Sequence, residues 1–512
     1  MIKRYCVILI ICLTSCGVFT SNIPQPKREF RGVWIATVAN IDWPKKGTDA
    51  VSKQKSDYLT ILNFYKDLNF NAVIVQIRTA GDALYTSQLA PWSRFLTGTE
   101  GIPPNGNEDI LPWMIKEAHK QGFEFHAWLN PYRATLDSNT KILSESHDYY
   151  KHPEWMIKYG EKHYYNPGIP EVRSHLLKVM DEVVLNYDID AVHFDDYFYP
   201  YKIKDEVFND SLAYVSYALP QQTLEDWRRS NVDSLVQGIH KNIKKKKPWV
   251  QFGISPFGVW KNKATDPKGS DTQAGQTTYE DLYADPLLWM EKGWIDYLVP
   301  QVYWSMDLNV ASHRKIVSWW AENSENTNLY IGNGAYKIYN NSDPAWEKKK
   351  ELPQQLKLSR NTAAVSGNVF FSAKSLMKER EAVVRNLKRN FYKNVALPPA
   401  SPLMENRSLN IPKLKQVWQN RDSLKIAMDF SGTNSIRNIL IYASRKDTKL
   451  NTGTTKQLLR KLYHSGEDSF QIAKKDLKGK RHLALTFLDR YGNESTPIEL
   501  NLNQTTNYDT KK

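Results

Sequence analysis

The run Ala191-Val192-His193-Phe194-Asp195-Asp196-Tyr197-Phe198-Tyr199-Pro200 sets two adjacent carboxylates behind a short stretch of strand character. Neighbouring carboxyls split their proton affinities, so one stays ionised while the other keeps a proton, and glycosidic cleavage needs one of each. Side chains alternate across a strand. Val192 and Phe194 are therefore the apolar outward pair, while Ala191, His193 and Asp195 face the opposite side. Asp195 then stands at the strand end, placed to supply a nucleophile or to stabilise an oxocarbenium-like transition state. Asp196 follows where the strand gives way to its loop and can turn back to the same point. Both are candidate catalytic residues; the alternative is that they form salt bridges or cap the loop. Adjacent strand residues do not face one atom, so a second catalytic group would come from elsewhere, with Asp82, Glu280 and Asp307 as candidates. Glu280 also suits the positive end of a helix. His193 either holds Asp195 in position or packs in the core.

Similar clusters end other β-like runs: Gln76-Ile77-Arg78-Thr79-Ala80-Gly81-Asp82, His126-Ala127-Trp128-Leu129-Asn130-Pro131-Tyr132-Arg133, Ser255-Pro256-Phe257-Gly258-Val259-Trp260 and Pro300-Gln301-Val302-Tyr303-Trp304. Arg78, Asn130, Arg133, Gln301 and Tyr303 would donate hydrogen bonds to sugar hydroxyls or a substrate carboxylate. Trp128, Tyr197, Phe257 and Trp304 would supply stacking walls. Asp82, His126 and His193 complete the expected substrate-binding set. With 16 Trp and 28 Tyr, the chain carries more amphipathic rings than a core needs, which suits a surface for sugars.

The elements that must position these groups alternate. Strand-like runs fall at residues 32–38, 72–79, 123–130, 191–198, 251–257, 295–304, 329–336 and 369–373, with amphipathic stretches at 55–68, 110–121, 171–187 and 224–245 between them. Eight β-then-α units predict a TIM-type (β/α)8 barrel, whose chemistry sits at the C-terminal strand ends. A doubly wound sheet would carry a glycine-rich phosphate loop after its first strand, and the sequence has none there.

Residues 1–16 combine a charged start, an apolar run and Leu13-Thr14-Ser15-Cys16, the pattern of a lipoprotein signal in which Cys16 is lipidated. An ordinary signal peptide cut elsewhere is the alternative. The three cysteines all lie in this segment, which leaves none for disulfides, metal ligation or thiol catalysis in the mature chain. Residues 17–27 read as a tether. The expected location is the cell envelope, anchored by lipid to a bacterial membrane, the outer membrane foremost, facing the periplasm or the exterior. The net charge of +14 favours anionic polymers. Its densest run, residues 244–247, reads as a solvated helix end; without any nucleic-acid-binding motif, no nucleic-acid partner is expected. No cofactor or metal is expected, because no His/Cys/carboxylate cluster has ligand spacing. The protein is expected to be a monomer.

The stretch Arg28-Glu29-Phe30-Arg31-Gly32-Val33-Trp34-Ile35-Ala36-Thr37-Val38-Ala39-Asn40-Ile41-Asp42-Trp43-Pro44 resembles the opening of the glycosyl-hydrolase-like 10 family of bacterial lipoproteins. Residues 128–133, 194–200, 253–260 and 300–304 resemble its other blocks, and the likeness covers about residues 28–390. The resemblance implies a (β/α)8 catalytic domain over residues 28–393 with the catalytic carboxylate at Asp195, or at Asp196 if the register differs. It also implies envelope localisation and, for at least some members, cleavage of peptidoglycan glycan strands after their stem peptides are removed.

A Pro-rich linker, residues 394–412, leads to short β runs over residues 413–503, the rhythm of a fibronectin III or immunoglobulin-like sandwich. Its role is a spacer or a lid packed on the barrel, or else glycan binding. Residues 504–512 read as a disordered tail. The chain is thus expected to be a glycosidase hydrolysing O-glycosyl bonds of an amino-sugar glycan, peptide-stripped peptidoglycan foremost. Hydrolysis of another surface or dietary polysaccharide and non-catalytic glycan binding are the alternatives.

Overall fold

A computed structural model of the chain describes residues 23–378, 381–404, 408–433, 435–500 and 506–507. Eight parallel strands close into a barrel: β1 (Phe30–Ile35), β2 (Ala72–Arg78), β3 (Glu124–Leu129), β6 (Ala191–Phe194), β7 (Gln251–Ile254), β8 (Tyr297–Leu298), β9 (Asn328–Asn333) and β10 (Val365–Phe370). β10 pairs back onto β1, with Gly32 opposite Val369. Between β3 and β6 a small hairpin, β4 (Met156–Tyr159) and β5 (Lys162–Tyr165), is inserted. Each of the eight predicted strands corresponds to a barrel strand. They were legible because a barrel strand is buried on both faces and so reads as a near-continuous apolar run; β1 and β2 are buried at every position.

The helices follow the same logic. Pro170–Asn186 starts with Pro at its first turn, where the missing N–H costs nothing, and buries Val172, Leu176, Val179, Met180, Val183 and Val184 as one stripe. Leu224–Lys246 opens on Thr223, whose side chain accepts from the Asp226 N–H at 3.1 Å, and closes on Lys244, Lys245 and Lys246, where cations suit the helix dipole. The lysine run is therefore more than a solvated end: Lys244 Nζ lies 2.8 Å from Asp296, and Lys246 pairs with Asp181.

Inside the barrel, Phe30, Trp34, Ile74, Trp128, Tyr297 and Tyr330 form a packed interior. Gly253 is required there, since a Cβ would sit 2.0 Å from the Tyr297 ring. Val192 and Phe194 instead join the outer core between sheet and helices, as alternation predicts.

The C-terminal region is two sheets. One has the order β15 (Ser469–Ala473), β12 (Ser423–Asp429), β11 (Lys413–Gln419), β18 (Thr506–Asn507); the other has β14 (Leu458–Tyr463), β13 (Ile436–Ser444), β16 (His482–Asp489), β17 (Ile498–Leu500). Neighbours are antiparallel except β11 and β18. Leu424, Ile426, Ile439, Ile441, Leu485 and Phe487 fill the space between the sheets. This body docks under the barrel, at the N-terminal strand ends. Arg437 on β13 reaches Asp190, just before β6, at 2.6 Å, and Arg490 reaches Asp188 at 2.5 Å. It is consequently no lid over the C-terminal rim.

The expected lipidated Cys16 and leader lie outside the described residues, as do residues 17–22. The remainder of the expected tether is part of the folded body: Arg360 donates to the Pro24 carbonyl at 2.8 Å, and Lys27 pairs with Glu494 at 2.6 Å. Of the expected tail, Thr506 and Asn507 lie beside β11, and the rest is outside the described residues. Among the described residues, no helix is long and apolar enough to cross a membrane.

Candidate active site

At the C-terminal strand ends a cleft of about 210 Å³ opens. Trp34, Gln76, Trp128, Arg133, Asp195, Tyr197, Ser255, Gln301, Tyr303, Tyr336 and Phe371 line it, with Val38 and Ile41 at the edge. Among the described lining residues Asp195 is the one carboxylate and Arg133 the one cation.

Asp195 is half-buried, one residue beyond β6. Its Oδ1 accepts from Gln301 Nε2 at 2.9 Å and from the Asp196 backbone N–H at 2.9 Å. Asp196 is only 2% exposed and lies behind it, receiving a hydrogen bond from the Tyr201 hydroxyl. Burial raises the proton affinity of both carboxyls. For Asp196 the negative charge of Asp195 adds to burial and holds its pKa well above the carboxylate range, whereas the carboxyl–carboxyl hydrogen bond from Asp196 works against the rise at Asp195. The pair thus keeps one proton on Asp196 and ionises first at Asp195, which faces the cleft.

Beneath this floor lies a neutral network. His193 Nε2 accepts from Trp34 Nε1 at 3.2 Å and lies 3.1 Å from Ser255 Oγ. Because the indole can only donate, His193 carries its proton on Nδ1, 3.0 Å from the Tyr297 hydroxyl, which also lies 2.8 Å from His126 Nδ1. Burial holds the His193 pKa well below the usual histidine value, and the neighbouring His126 adds to this. Tyr297 therefore links His126 to His193, and His193 in turn contacts Trp34 and Ser255, both lining the cleft.

Of the expected residues, the fold brings Asp195, Trp128, Arg133, Tyr197, Gln301 and Tyr303 to the cleft, with Asp196 behind. The others lie elsewhere, each for a visible reason. Arg78 is fully buried, 3.4 Å from both the Tyr165 hydroxyl and the Asp82 carbonyl, because the inserted hairpin covers it. Asp82 folds back on its own turn, accepting from Thr79 N and Oγ1 and from Ala80 N at 2.8–3.1 Å. His126 and His193 are inside the barrel. Asn130 spends its amide on Trp128 Nε1 at 3.0 Å and the Thr79 carbonyl at 3.3 Å, so it positions the indole rather than a ligand. Phe257 and Trp304 pack edge to face on one another, with centroids 5.4 Å apart, beside the cleft but not lining it. Neither Glu280 nor Asp307 lines it either; Glu280 accepts from Thr277 Oγ1 at 3.2 Å, and Asp307 pairs with Arg314 at 3.3 Å.

Sequence reading missed Trp34, Gln76, Ser255, Tyr336 and Phe371 as lining residues. Gln76 and Ser255 sit at strand ends inside quoted motifs, a usable signal. Trp34 lies in the opening motif and Tyr336 and Phe371 in predicted strand runs, but as aromatic residues they are not distinguished there from core packing. Among the described residues there is no group of three or more His, Cys, Asp or Glu that could hold a metal ion.

A solved structure of the glycoside hydrolase domain of PgaB (BpsB) from Bordetella bronchiseptica matches 70% of this chain and 98% of its own, at 10% identity and a TM-score of 0.46. Glycosyl hydrolase YngK of Bacillus subtilis (strain 168) is 42% identical over 504 residues, 96% of this chain and 97% of that protein. Glycosyl hydrolase DigH of Escherichia coli (strain K12) is 35% identical over 377 residues, 69% of this chain and 85% of that protein. The model of the glycosyl hydrolase-like 10 family matches residues 29–348, most of the barrel with its carboxylate pair and cleft, and the chain belongs to that family.

Proposed function

We propose that this protein hydrolyses O-glycosyl bonds of an amino-sugar glycan, peptide-stripped peptidoglycan strands foremost, as a monomer held at the bacterial envelope by lipid on Cys16. The observation that carries the reading is Asp195: an ionisable carboxylate at the mouth of a (β/α)8 barrel, facing an aromatic cleft and backed by a buried partner that keeps the proton. In this reading the ionised Asp195 meets the positive charge that develops at the anomeric carbon. Gln301 holds its Oδ1, so the carboxylate need not reorganise as that charge appears. Trp128, Tyr197 and Tyr303 supply stacking and edge contacts for the ring. The substrate rests on the family likeness of the motifs and on the basic character of the chain, +14 overall. One observation favours a second reading, non-catalytic glycan binding: the described lining residues hold a single carboxylate where most glycosidases use two.

The test is incubation of the chain from Gly17 onward with intact and with peptide-stripped peptidoglycan, followed by mass spectrometry of the released fragments. Release from stripped strands supports the proposed reading and identifies the bond. Saturable binding without new reducing ends supports the second, and cleavage of an unrelated polysaccharide alone would overturn the substrate.

A further inference from the structure

Arg133 is a buried cation without an anion. It is 6% exposed, its Nε has no hydrogen-bond partner, and no carboxylate oxygen of the described residues lies within ion-pair distance of its guanidinium. Other buried arginines are paired: Arg31 with Glu29 at 2.7 Å, Arg228 with Asp210 at 2.6 Å, Arg437 with Asp190 at 2.6 Å. Arg78 also lacks an ion pair, but it is shut away from the cleft against Tyr165. Withdrawing a guanidinium from water is costly unless something replaces the water. Tyr197 replaces part of it, with its ring centre 3.9 Å from the Arg133 guanidinium carbon. Tyr197 also interacts with the fork through its hydroxyl, but the Nε side of the planar edge has no partner, and that edge is the part that grips a carboxylate with two parallel bonds.

The residue is also held in place before any ligand arrives. Arg133 forms a β-bridge with Tyr164 of the inserted hairpin, and on either side Tyr165 N donates to the Tyr132 carbonyl at 2.8 Å and Ala134 N to the His163 carbonyl at 3.1 Å. Asp195, the one carboxylate lining the same cleft, stays beyond ion-pair reach and so remains available for chemistry.

We infer that Arg133 is a specificity-determining residue that binds a carboxylate carried by the sugar ring seated beside Asp195, so that the cleft selects glycans with free ring carboxylates. This rests on reading the cleft as a glycan site. The carboxylate has two sources of the same chemistry, the lactyl ether of an N-acetylmuramyl residue or C6 of a hexuronic acid. A neutral ring, or one whose carboxyl is tied up as an amide, leaves the buried cation unpaired.

The experiment compares the wild-type mature chain with Arg133→Met and Arg133→Lys. The probes are peptide-stripped peptidoglycan strands, the same strands with lactyl carboxyls converted to methylamides, and oligohexuronates. Calorimetric binding and initial rates are measured on each. For the wild type the free acid is favoured over the amide by roughly 10- to 100-fold, the range for a charge-assisted pair. In Arg133→Met that preference collapses, because KM rises more on the acid than on the amide, and Arg133→Lys recovers part of it. Preference for oligohexuronates over muramyl strands that disappears in Arg133→Met supports the assignment with the uronate as source. Carboxylate-dependent binding without turnover, lost in Arg133→Met, supports the Arg133 assignment while overturning the hydrolase reading. Equal handling of acid and amide by the wild type, an unchanged preference in Arg133→Met and Arg133→Lys, or no binding of any probe overturns it.

Discussion

Replacing Asp195 by Asn changes one charge and almost nothing else. Asparagine has the same shape, and its Oδ1 can still accept from Gln301 Nε2 and from the Asp196 N–H, both 2.9 Å away in the native protein. What disappears is the attraction between the carboxylate and a cationic anomeric carbon. At ~4 Å and an effective dielectric of about 20, that attraction is worth about 4 kcal/mol. A loss of that size in the transition state lowers kcat by about 10³-fold while KM stays within a few-fold of wild type. Burial raises the Asp195 pKa, so the native charge is held at a cost to the fold, and the neutral amide relieves it. The variant should therefore melt at or above the wild-type temperature at pH 7. The assay is reductive labelling of new reducing ends on peptide-stripped strands, with a thermal melt of the same sample. Activity within tenfold of wild type in a folded Asp195→Asn protein would refute the placement of the charge, and a lowered melting temperature would refute the claim that only charge was changed.

Three further outcomes follow from the same geometry. Asp196→Ala removes the hydrogen bond that restrains the Asp195 pKa, so that pKa rises, less carboxylate exists at any acidic pH, and the acid limb of kcat/KM moves to higher pH; Asp196→Asn keeps a donor and moves it less. Movement of the limb to lower pH in Asp196→Ala contradicts the pairing. Burial, with the nearby Asp82 charge second, raises Glu100 from 4.5 to about 7, so the folded protein holds a proton that the unfolded chain releases, and the stability this gives at low pH is lost as pH rises from about 4.5 to 7. At about 1.4 kcal/mol per pH unit the window is worth up to ~3 kcal/mol, and Glu100→Gln should gain that much at pH 8 while flattening the pH profile of denaturant unfolding; an unchanged profile would count against it. Arg437→Met removes the guanidinium partner of the buried Asp190 beneath the barrel but leaves it His119 Nε2 at 2.8 Å and the Phe125 N–H at 2.7 Å. The cost in chemical denaturation should therefore fall below the about 3–5 kcal/mol of a fully uncompensated buried charge, and a wild-type midpoint would show that the sandwich contributes nothing through this contact.

Much of this protein is decided by local sequence. Eight apolar runs of strand length specify a barrel because only a sheet buried on both faces hides them, and the helix stripes and caps, such as Thr223 over Asp226, fix where the chain turns back. Strict alternation put Val192 and Phe194 outside and Asp195 on the inward face at the rim, since a strand has a period of two whatever surrounds it. The tertiary structure decided what each rim residue faces. Arg78 and Arg133 look equivalent in sequence, yet a hairpin inserted far along the chain covers the first with Tyr165 and braces the second through Tyr164. Asp195 and Asp196 are chemically identical neighbours, and only Tyr201, Gln301 and the depth of burial separate the ionised member from the protonated one. Phe371 and Tyr336 reach the cleft because closing the barrel brings its last strands beside its first, a contact between distant residues that no local pattern encodes.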